Sequence, residues 1–249
     1  MIQSVDRALF ILEFLKNNPK GYGVTEIATH LQIAKSSAHR LLTTLEKHNY
    51  VQKTGNGNYS LGLKFIEMNN CVVTNLDILA IAHPLIEALC HEVDEIVHLV
   101  QLRGDEVVYI DKVENNHSIR IYSQVGRTAP LYCTGVGKVI LAYQERSFVE
   151  NYIQSIKEFK LFTPYTVKNR SELENKLLSI QSLGYGFDNQ EHELDISCIA
   201  APIFNHSKEV QFAISVTGPT VRMTEEKLMK IVPAILKCAN EISIKLGYH

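Results

Sequence analysis

Apolar residues at the start of the chain recur at helical spacing and predict three consecutive helices. Ser4 is the predicted N-cap of the first helix, over residues 2–17. Its core stripe is formed by Val5, Ala8, Leu9, Leu12 and Leu15. Further apolar side chains exceed one stripe, so we expect part of this helix to pack on a second subunit. Thr25 is the predicted cap of a short helix that runs through Leu31. A turn over residues 32–34 and a third helix over residues 35–47 follow.

The third predicted helix has one apolar face and one cationic, hydroxyl-rich face. The inward face carries Ala38, Leu41, Leu42 and Leu45. The outward face carries Ser36, Arg40, Thr43 and Lys47. Arginine and lysine contact phosphates or guanine, and hydroxyl groups contact phosphates or bases, so this face suits the major groove of DNA. A solvated surface helix is the alternative.

Two strand-like runs, residues 50–54 and 58–61, flank the segment Gly55-Asn56-Gly57. Asn-Gly favours a type I′ turn with positive φ at both central residues, so this pattern predicts a β-hairpin. A hairpin directly after a helix-turn-helix is a wing. Lys53, Asn56 and Asn58 can reach a phosphate or a minor-groove edge from it. For the two asparagines, an ordinary surface hairpin is the alternative.

Charge is distributed unevenly along the 249 residues. Residues 1–62 hold seven lysines and arginines against four acidic residues, whereas the remainder holds 18 against 23. The net charge of −2 indicates no bulk affinity for nucleic acid or anionic membranes. The basic excess coincides with the predicted groove-facing elements, and so few cations per subunit require a dimer on two half-sites.

The composition is typical of a cytoplasmic protein with one large or two ordinary domains. The hydrophobic fraction of 45% supports a sizeable core, no apolar run reaches membrane-spanning length, and the N-terminus lacks a signal-peptide pattern. The five cysteines are widely spaced and include no C-x-x-C pair. This spacing indicates buried thiols in a reducing compartment.

Beyond residue 62, helices alternate with paired strands. A connecting helix is predicted over residues 63–75, and Asp77 is the predicted N-cap of a helix over residues 78–91. Strands are predicted over residues 96–102, 107–111, 119–123, 199–204 and 210–217, and helices over residues 135–143, 149–159, 171–183 and 224–246. This order indicates an α+β fold with a mainly antiparallel sheet. The predicted domains are residues 1–62, a linker helix over residues 63–76, and residues 77–249.

The segment Thr134-Gly135-Val136-Gly137-Lys138 opens one of these helices. It is not a P-loop, because Val139 stands where Ser or Thr is needed and Tyr132 occupies the first glycine position. Two interpretations stay open. Free N–H groups at a helix start beside small residues bind carboxylates, and glycines also fit a tight turn from strand to helix.

An acidic stretch, residues 188–195, precedes the apolar run that starts at Ile196. Asp188 can hydrogen-bond the hydroxyl groups of a ligand, and we expect the rest of the stretch to be solvated. A metal site at Glu191, His192 and Asp195 is the competing interpretation, but nothing else in the sequence completes a recognisable ligand spacing. We therefore expect no metal and no other cofactor.

No motif of a known catalytic class occurs: the sequence lacks G-x-S-x-G, H-E-x-x-H and a dinucleotide fingerprint. Cys198 with His98 or His192 could act as nucleophile and base. Cys198 lies in an apolar run, however, where a thiol packs or lines a pocket rather than ionises. The sequence therefore indicates a binding protein and not an enzyme.

The chain resembles the IclR-type bacterial transcription regulators over essentially its whole length. The matching stretches, in the family's order, are residues 2–9, His39-Arg40-Leu41-Leu42, Gly126-Arg127 with Pro130-Leu131, residues 135–139, Leu183-Gly184-Tyr185-Gly186 and residues 198–203. The resemblance implies a winged helix-turn-helix domain for double-stranded operator DNA, a linker helix, and a C-terminal GAF-like effector domain. It also implies homodimers that pair into tetramers, and small organic acids as effectors.

Two sets of candidate site residues result. The DNA-binding set is Lys35, Ser36, Ser37, His39, Arg40, Thr43, Lys47, Lys53, Asn56 and Asn58. The effector-binding set implied by the resemblance is Gly135, Val136, Gly137, Asp188, Cys198, Ser215 and Thr217. In this arrangement, amides hold a carboxylate, while the aspartate and the hydroxyl groups hold a polyol or keto end.

Two positions depart from the family pattern. Ala34 replaces the usual capping hydroxyl before the third helix, so Ser36 or Ser37 is the expected cap. Asp195 replaces a usual glycine beside the pocket.

Within the family, three segments are most similar to regulators of hexuronate and 2-keto-3-deoxygluconate catabolism: residues 122–127, residues 130–132 and residues 247–249. Aldonate-sensing relatives are nearly as similar. We therefore expect a ligand-responsive repressor of a sugar-acid catabolic operon, sensing a sugar acid or 2-keto acid. An aldonate- or metal-sensing regulator, and a cysteine-dependent enzyme with an accessory DNA-binding domain, are the alternatives.

Overall fold

The computed structural model describes residues 2–68, 77–115 and 123–249, and the chain divides into two units, residues 1–76 and 77–249. The elements of the first unit are α1 (Gln3–Lys16), α2 (Val24–His30), α3 (Lys35–Lys47), β1 (Val51–Lys53) and β2 (Tyr59–Leu61). Strands β1 and β2 pair antiparallel. The three predicted helices and the hairpin are therefore confirmed, and α3 has the predicted bounds.

Helix α1 buries only the C-terminal part of the predicted stripe, together with Ile11. Ile11 and Leu15 are buried in the core of the first unit, whereas Val5, Leu9 and Phe10 are 53%, 58% and 59% exposed. The predicted core stripe is therefore wrong for its first half, because one helix face is shared between the unit's own core and an exposed apolar surface. That surface continues into a groove formed with residues 41–50 and 65–68.

The turns and caps of the first unit correct three local predictions. Helix α1 begins after Ile2 without a side-chain cap. Gly23, not Thr25, is the N-cap residue of α2, and its N–H donates to Glu26 Oε2 at 2.7 Å. Gly57 has a φ of +84°, but Asn56 does not have positive φ, so the hairpin is not a type I′ turn. The Thr54 N–H donates to the Asn58 carbonyl across a three-residue loop that ends in this left-handed glycine.

The second unit contains five helices and six strands among its described residues. The helices are α4 (Ile78–Val93), α5 (Gly135–Ala142), α6 (Arg146–Ser155), α7 (Arg170–Leu183) and α8 (Glu225–Lys245). The strands are β3 (Ile96–Arg103), β4 (Glu106–Val113), β5 (Thr128–Pro130), β6 (Gly186–Asn189), β7 (Ile196–Phe204) and β8 (Val210–Pro219). Asp77 caps α4 by accepting from the Leu79 N–H at 2.9 Å, as predicted.

The six strands form one antiparallel sheet in the order β5-β4-β3-β8-β7-β6. Helix α5 packs on the face of β7 that carries Cys198 and Ala200, and α8 also contacts β7 and β8. The α+β class with an antiparallel sheet is thus confirmed. Strands β5 and β6 were not predicted, and α6 begins and ends earlier than the predicted helix over residues 149–159.

Two predicted elements lie largely outside the described residues. Residues 64–68 of the predicted linker helix are helical, and its remainder is not described. Of the predicted strand over residues 119–123, only Ser123 belongs to the described part of the chain. Within the described ranges, no helix is long and apolar enough to cross a membrane.

Candidate functional site

The outward face of α3 presents the predicted DNA-contacting side chains to solvent. Six of them are exposed and Ser37 is half-buried; the exposed ones are Lys35, Ser36, His39, Arg40, Thr43 and Lys47. Ala38 and Leu42 anchor the opposite face in the core. We call the exposed set with Ser37 the recognition face.

The first turn of α3 has no side-chain cap. Ala34 occupies the N-cap position, and neither Ser36 nor Ser37 supplies the expected capping bond. The N–H groups of Ser37 and Ala38 donate to the Ala34 carbonyl. Because the first N–H groups of a helix have no partner within it, this exposed end can receive an anion such as a phosphate.

The hairpin loop places its three candidate residues differently. Lys53 and Asn56 are exposed, and the Lys53 ammonium lies 5.9 Å from the centre of the Tyr59 ring. Asn58 is half-buried and its Nδ2 donates to the Gly21 carbonyl at 3.4 Å. Asn58 therefore joins the hairpin to the turn after α1 in addition to any contact with DNA.

A cavity of about 190 Å³ opens on the α5 face of the sheet, and we call it the sheet cavity. It brings together six of the seven predicted effector-binding residues: Gly135, Val136, Asp188, Cys198, Ser215 and Thr217. Polar lining residues absent from our predicted set are His98, Tyr109, Ser123, Arg127, Thr128, Thr134, His192 and Glu193. One indication in the sequence that His98 belongs to the site is its position as a polar residue in the middle of an apolar strand.

The two glycines at the start of α5 are required by close packing. A Cβ on Gly135 would lie 2.7 Å from the Cys198 Sγ, and one on Gly137 would lie 2.5 Å from the Leu131 Cα. The Gly137 N–H donates to Thr134 Oγ1 at 3.1 Å, so this amide serves the helix cap rather than the cavity. Both glycines are therefore required by the tight turn from strand to helix, and only the Gly135 and Val136 amides are candidates for binding an anion.

Asp188 enters the cavity as a buried acid. It is 9% exposed, and its Oδ1 accepts a hydrogen bond from the Glu191 N–H at 2.7 Å. Burial raises its pKa from the ordinary value of 3.8 to about 7, against the opposing effect of the Lys138 charge. Near neutral pH this carboxyl group is therefore only partly ionised, whereas an exposed aspartate is fully ionised.

Glu191 corrects the expectation that the acidic stretch is solvated beyond Asp188. Glu191 is 3% exposed, forms an ion pair with Lys138, which is 1% exposed, and lies 3.1 Å from Lys176 Nζ. Thr166 Oγ1 donates to the Glu191 carbonyl at 2.6 Å. The sequence did not reveal this burial because the partners come from α5, α7 and the segment before α7.

His98 organises the hydroxyl groups of the cavity. Its Nε2 lies 2.7 Å from Ser123 Oγ, and its Nδ1 lies 3.3 Å from Thr217 Oγ1 and 3.5 Å from Ser215 Oγ. The ring packs edge-on against Tyr109 at 5.1 Å between ring centres. Burial, with the charge of Lys112, lowers the His98 pKa to about 3, so the imidazole is neutral.

Cys198 has the surroundings of a packed thiol. It is 8% exposed, and burial together with the Asp188 charge raises its pKa, so the thiolate is disfavoured. The ring nitrogens of His98 bond hydroxyl groups instead of activating it. Among the described residues, no group of three His, Cys, Asp or Glu side chains could hold a metal ion.

Comparison with known proteins covers nearly the whole chain. The family model of the IclR helix-turn-helix domain matches residues 4–55, and that of the bacterial transcriptional regulator IclR C-terminal domain matches residues 70–244. The regulator KdgR of Escherichia coli is 34% identical over 100% of this chain and 94% of its own length. The regulator KipR of Bacillus subtilis is 32% identical over 99% of this chain and 98% of its own length.

A solved structure extends the comparison to the fold. The crystal structure of the Thermotoga maritima IclR is 35% identical and covers 100% of both chains, with a TM-score of 0.67. Sequence and fold therefore agree on one assignment. The chain belongs to the IclR family of bacterial transcriptional regulators.

Proposed function

We propose that this protein is a repressor of a sugar-acid catabolic operon, released from or retained on its operator by a small carboxylate such as 2-keto-3-deoxygluconate. It acts in the cytoplasm as a homodimer or tetramer. The observation that carries this proposal is the sheet cavity, in which one buried acid, one neutral imidazole and several hydroxyl groups meet. The similarity to KdgR supports the same ligand class.

DNA binding is assigned to the recognition face and the wing. Arg40, Lys47 and Lys53 are exposed there, and the uncapped end of α3 adds amide donors beside Lys35. A net charge of +3 on residues 1–62 is small, so useful affinity needs two copies on two half-sites. The exposed apolar surface of α1, with Val5 and Leu9, supports a subunit interface that supplies the second copy.

The chemistry of the sheet cavity fits a small hydroxylated acid. Its volume of about 190 Å³ is below the ~300–1,000 Å³ typical of sites for drug-sized ligands. Arg127 and the start of α5, which both line the cavity, suit a carboxylate, while Asp188 suits hydroxyl groups. Ligand binding then alters the spacing or orientation of paired winged domains and so changes operator affinity.

Fluorescence anisotropy on a labelled operator, selected in vitro from random DNA, tests the DNA-binding half. Arg40→Ala should lower operator affinity by roughly thirtyfold or more, because a dimer loses two contacts. Lys16→Ala removes an exposed charge from α1 and is the matched control. If both variants bind the operator equally, the recognition face is assigned wrongly.

A thermal-shift titration tests the effector half. The panel is 2-keto-3-deoxygluconate, gluconate, xylonate, glucuronate, glyoxylate and pyruvate. A ligand at a hundred times its dissociation constant stabilises the native state by about 2.7 kcal/mol, or several degrees. A saturable shift that Asp188→Ala abolishes supports the assignment. A flat panel withdraws the sugar-acid effector and leaves the DNA-binding half standing.

A further inference from the structure

The inner wall of the sheet cavity consists of neutral hydroxyl groups around one imidazole. His98 on β3 pairs with Ser215 in the β3–β8 register, and Thr217 follows on the same face of β8. Ser123 contacts the other side of the ring. Because three hydroxyl groups converge on one ring, the protonation of His98 determines what this wall can bind.

The imidazole has fewer hydrogen-bonding positions than it has neighbours. His98 is 2% exposed, and its pKa of about 3 keeps it neutral, with one N–H donor and one lone pair. Ser123 occupies Nε2 at 2.7 Å. Thr217 and Ser215, at 3.3 Å and 3.5 Å, therefore share Nδ1.

This sharing leaves hydrogen-bonding capacity on the wall. In either tautomer Nδ1 pairs with one of the two hydroxyl groups, and the 3.4 Å between Ser215 Oγ and Thr217 Oγ1 allows the other to bond its neighbour or turn toward the cavity. Such a wall donates and accepts without charge. It matches a ligand hydroxyl group, but a methyl group would leave its polar atoms unpaired.

We propose that His98 is a specificity-determining residue: it orders Ser123, Ser215 and Thr217 so that the cavity selects an acid with several hydroxyl groups over a bare 2-keto acid. The inference rests on the proposed function and deepens it by naming the ligand class. The ligand carboxylate lies toward Arg127 and the start of α5, and its hydroxylated carbons lie against the wall. A ligand without hydroxyl groups leaves this wall unpaired and binds far more weakly.

Isothermal titration calorimetry with 2-keto-3-deoxygluconate and pyruvate tests this inference. The two acids share the 2-keto carboxylate group and differ in their hydroxylated carbons. For the unmodified protein we expect the larger acid to bind at least about a hundredfold more tightly. His98→Phe keeps an aromatic ring against Tyr109 but removes both nitrogens, and should reduce this ratio to about tenfold or less. Affinity for pyruvate should change by less than about threefold.

A second variant separates specificity from folding. His98→Asn restores a neutral acceptor beside Ser215 and Thr217 and should recover part of the ratio. If His98→Phe does not fold, His98→Asn and Ser215→Ala carry the test, and both must lower the ratio.

The possible failures are distinguishable. If neither acid binds the unmodified protein, the proposed effector class is wrong and this inference fails with it. If 2-keto-3-deoxygluconate binds, but His98→Phe leaves the ratio unchanged or weakens both acids equally, the inference alone is overturned. In that case His98 has only a structural role, and the proposed function stands.

Discussion

Replacing Asp188 by asparagine should stabilise the protein at alkaline pH although it removes a charge from the candidate site. The carboxyl group is buried, and its pKa is raised from 3.8 to about 7. Between these two values the folded protein keeps a proton that the unfolded chain has released. Stability therefore falls as pH rises from about 4 to about 7, and it levels off above pH 7.

The size of the effect follows from the same two values. Each pKa unit corresponds to about 1.4 kcal/mol, so full ionisation of Asp188 costs the folded state about 4 kcal/mol. About 3 kcal/mol of this is lost between pH 5 and pH 8. Asp188→Asn keeps an oxygen that can accept from the Glu191 N–H but cannot ionise. The variant should therefore gain about 3 kcal/mol relative to the unmodified protein over this range.

Scanning calorimetry of the full chain at pH 5 and pH 8 measures this difference. For a unit of this size, 1 kcal/mol shifts Tm by about 2–4 °C, so the advantage of Asp188→Asn should grow by roughly 6–12 °C. Asp105→Asn is the matched control, because Asp105 is exposed in the turn between β3 and β4. Its effect should stay within about 0.5 kcal/mol at both pH values.

The comparison can refute the reasoning directly. A Tm difference between the unmodified protein and Asp188→Asn that is the same at pH 5 and pH 8 would mean that Asp188 ionises like an exposed acid. The other charged or titratable groups near it are Lys138, Glu191, His192, Cys133, Cys198 and Tyr109. They are present in both proteins, so their common contributions largely cancel.

Three further substitutions test the packing around the cavity. Gly135→Ala should lower the free energy of unfolding, measured by chemical denaturation, by about 1–3 kcal/mol because its Cβ would lie 2.7 Å from Cys198 Sγ. Adding Cys198→Ala should restore much of this loss. Asp195→Gly should raise the free energy of unfolding by about 0.5 kcal/mol, since Asp195 has a φ of +62°. A lower free energy of unfolding would show instead that the Asp195 side chain stabilises the turn. Lys138→Met should lower the free energy of unfolding by about 3 kcal/mol, because Glu191 then stays buried beside one cation. The double variant with Glu191→Met should recover most of this loss, and additive effects of the two substitutions would contradict the buried ion pair.

Elements with a strong local pattern could be predicted from the sequence, and short edge strands could not. Helix α3 has the predicted bounds because its apolar and polar faces alternate cleanly and its start follows a turn. Strands β5 and β6 have three and four residues and each pairs with a single neighbour. Their extended conformation is imposed by β4 and β7, and no alternation within three or four residues can signal it.

The candidate site was predicted only in part, since its members are distant along the chain. Asp188 and Cys198 were singled out from their own segments, whereas Ser215 and Thr217 were proposed only from the family resemblance. His98 contacts Thr217 across 119 residues, a contact that depends on the pairing of β3 with β8. Periodicity describes one element at a time, so it cannot show which side chains of different strands converge.

The same limit explains the error in α1. The pattern marked an amphipathic helix but could not tell which apolar residues face the unit's own core. Ile11 and Leu15 are buried there, while Leu9 and Phe10 on the same helix are exposed. Sequence periodicity counts apolar residues, whereas burial depends on which surface a neighbouring element covers.

The central strand pair β3–β8 joins the first and the last strand of the second unit. During synthesis, β3 must wait for β8, and at 5–20 residues per second the ribosome needs on the order of ten seconds to add the 119 residues between His98 and Thr217. The first unit has no such dependence, because its strands pair across a three-residue loop. A premature stop codon before Val210 would therefore leave the winged unit encoded in full while removing the middle of the sheet that carries the cavity.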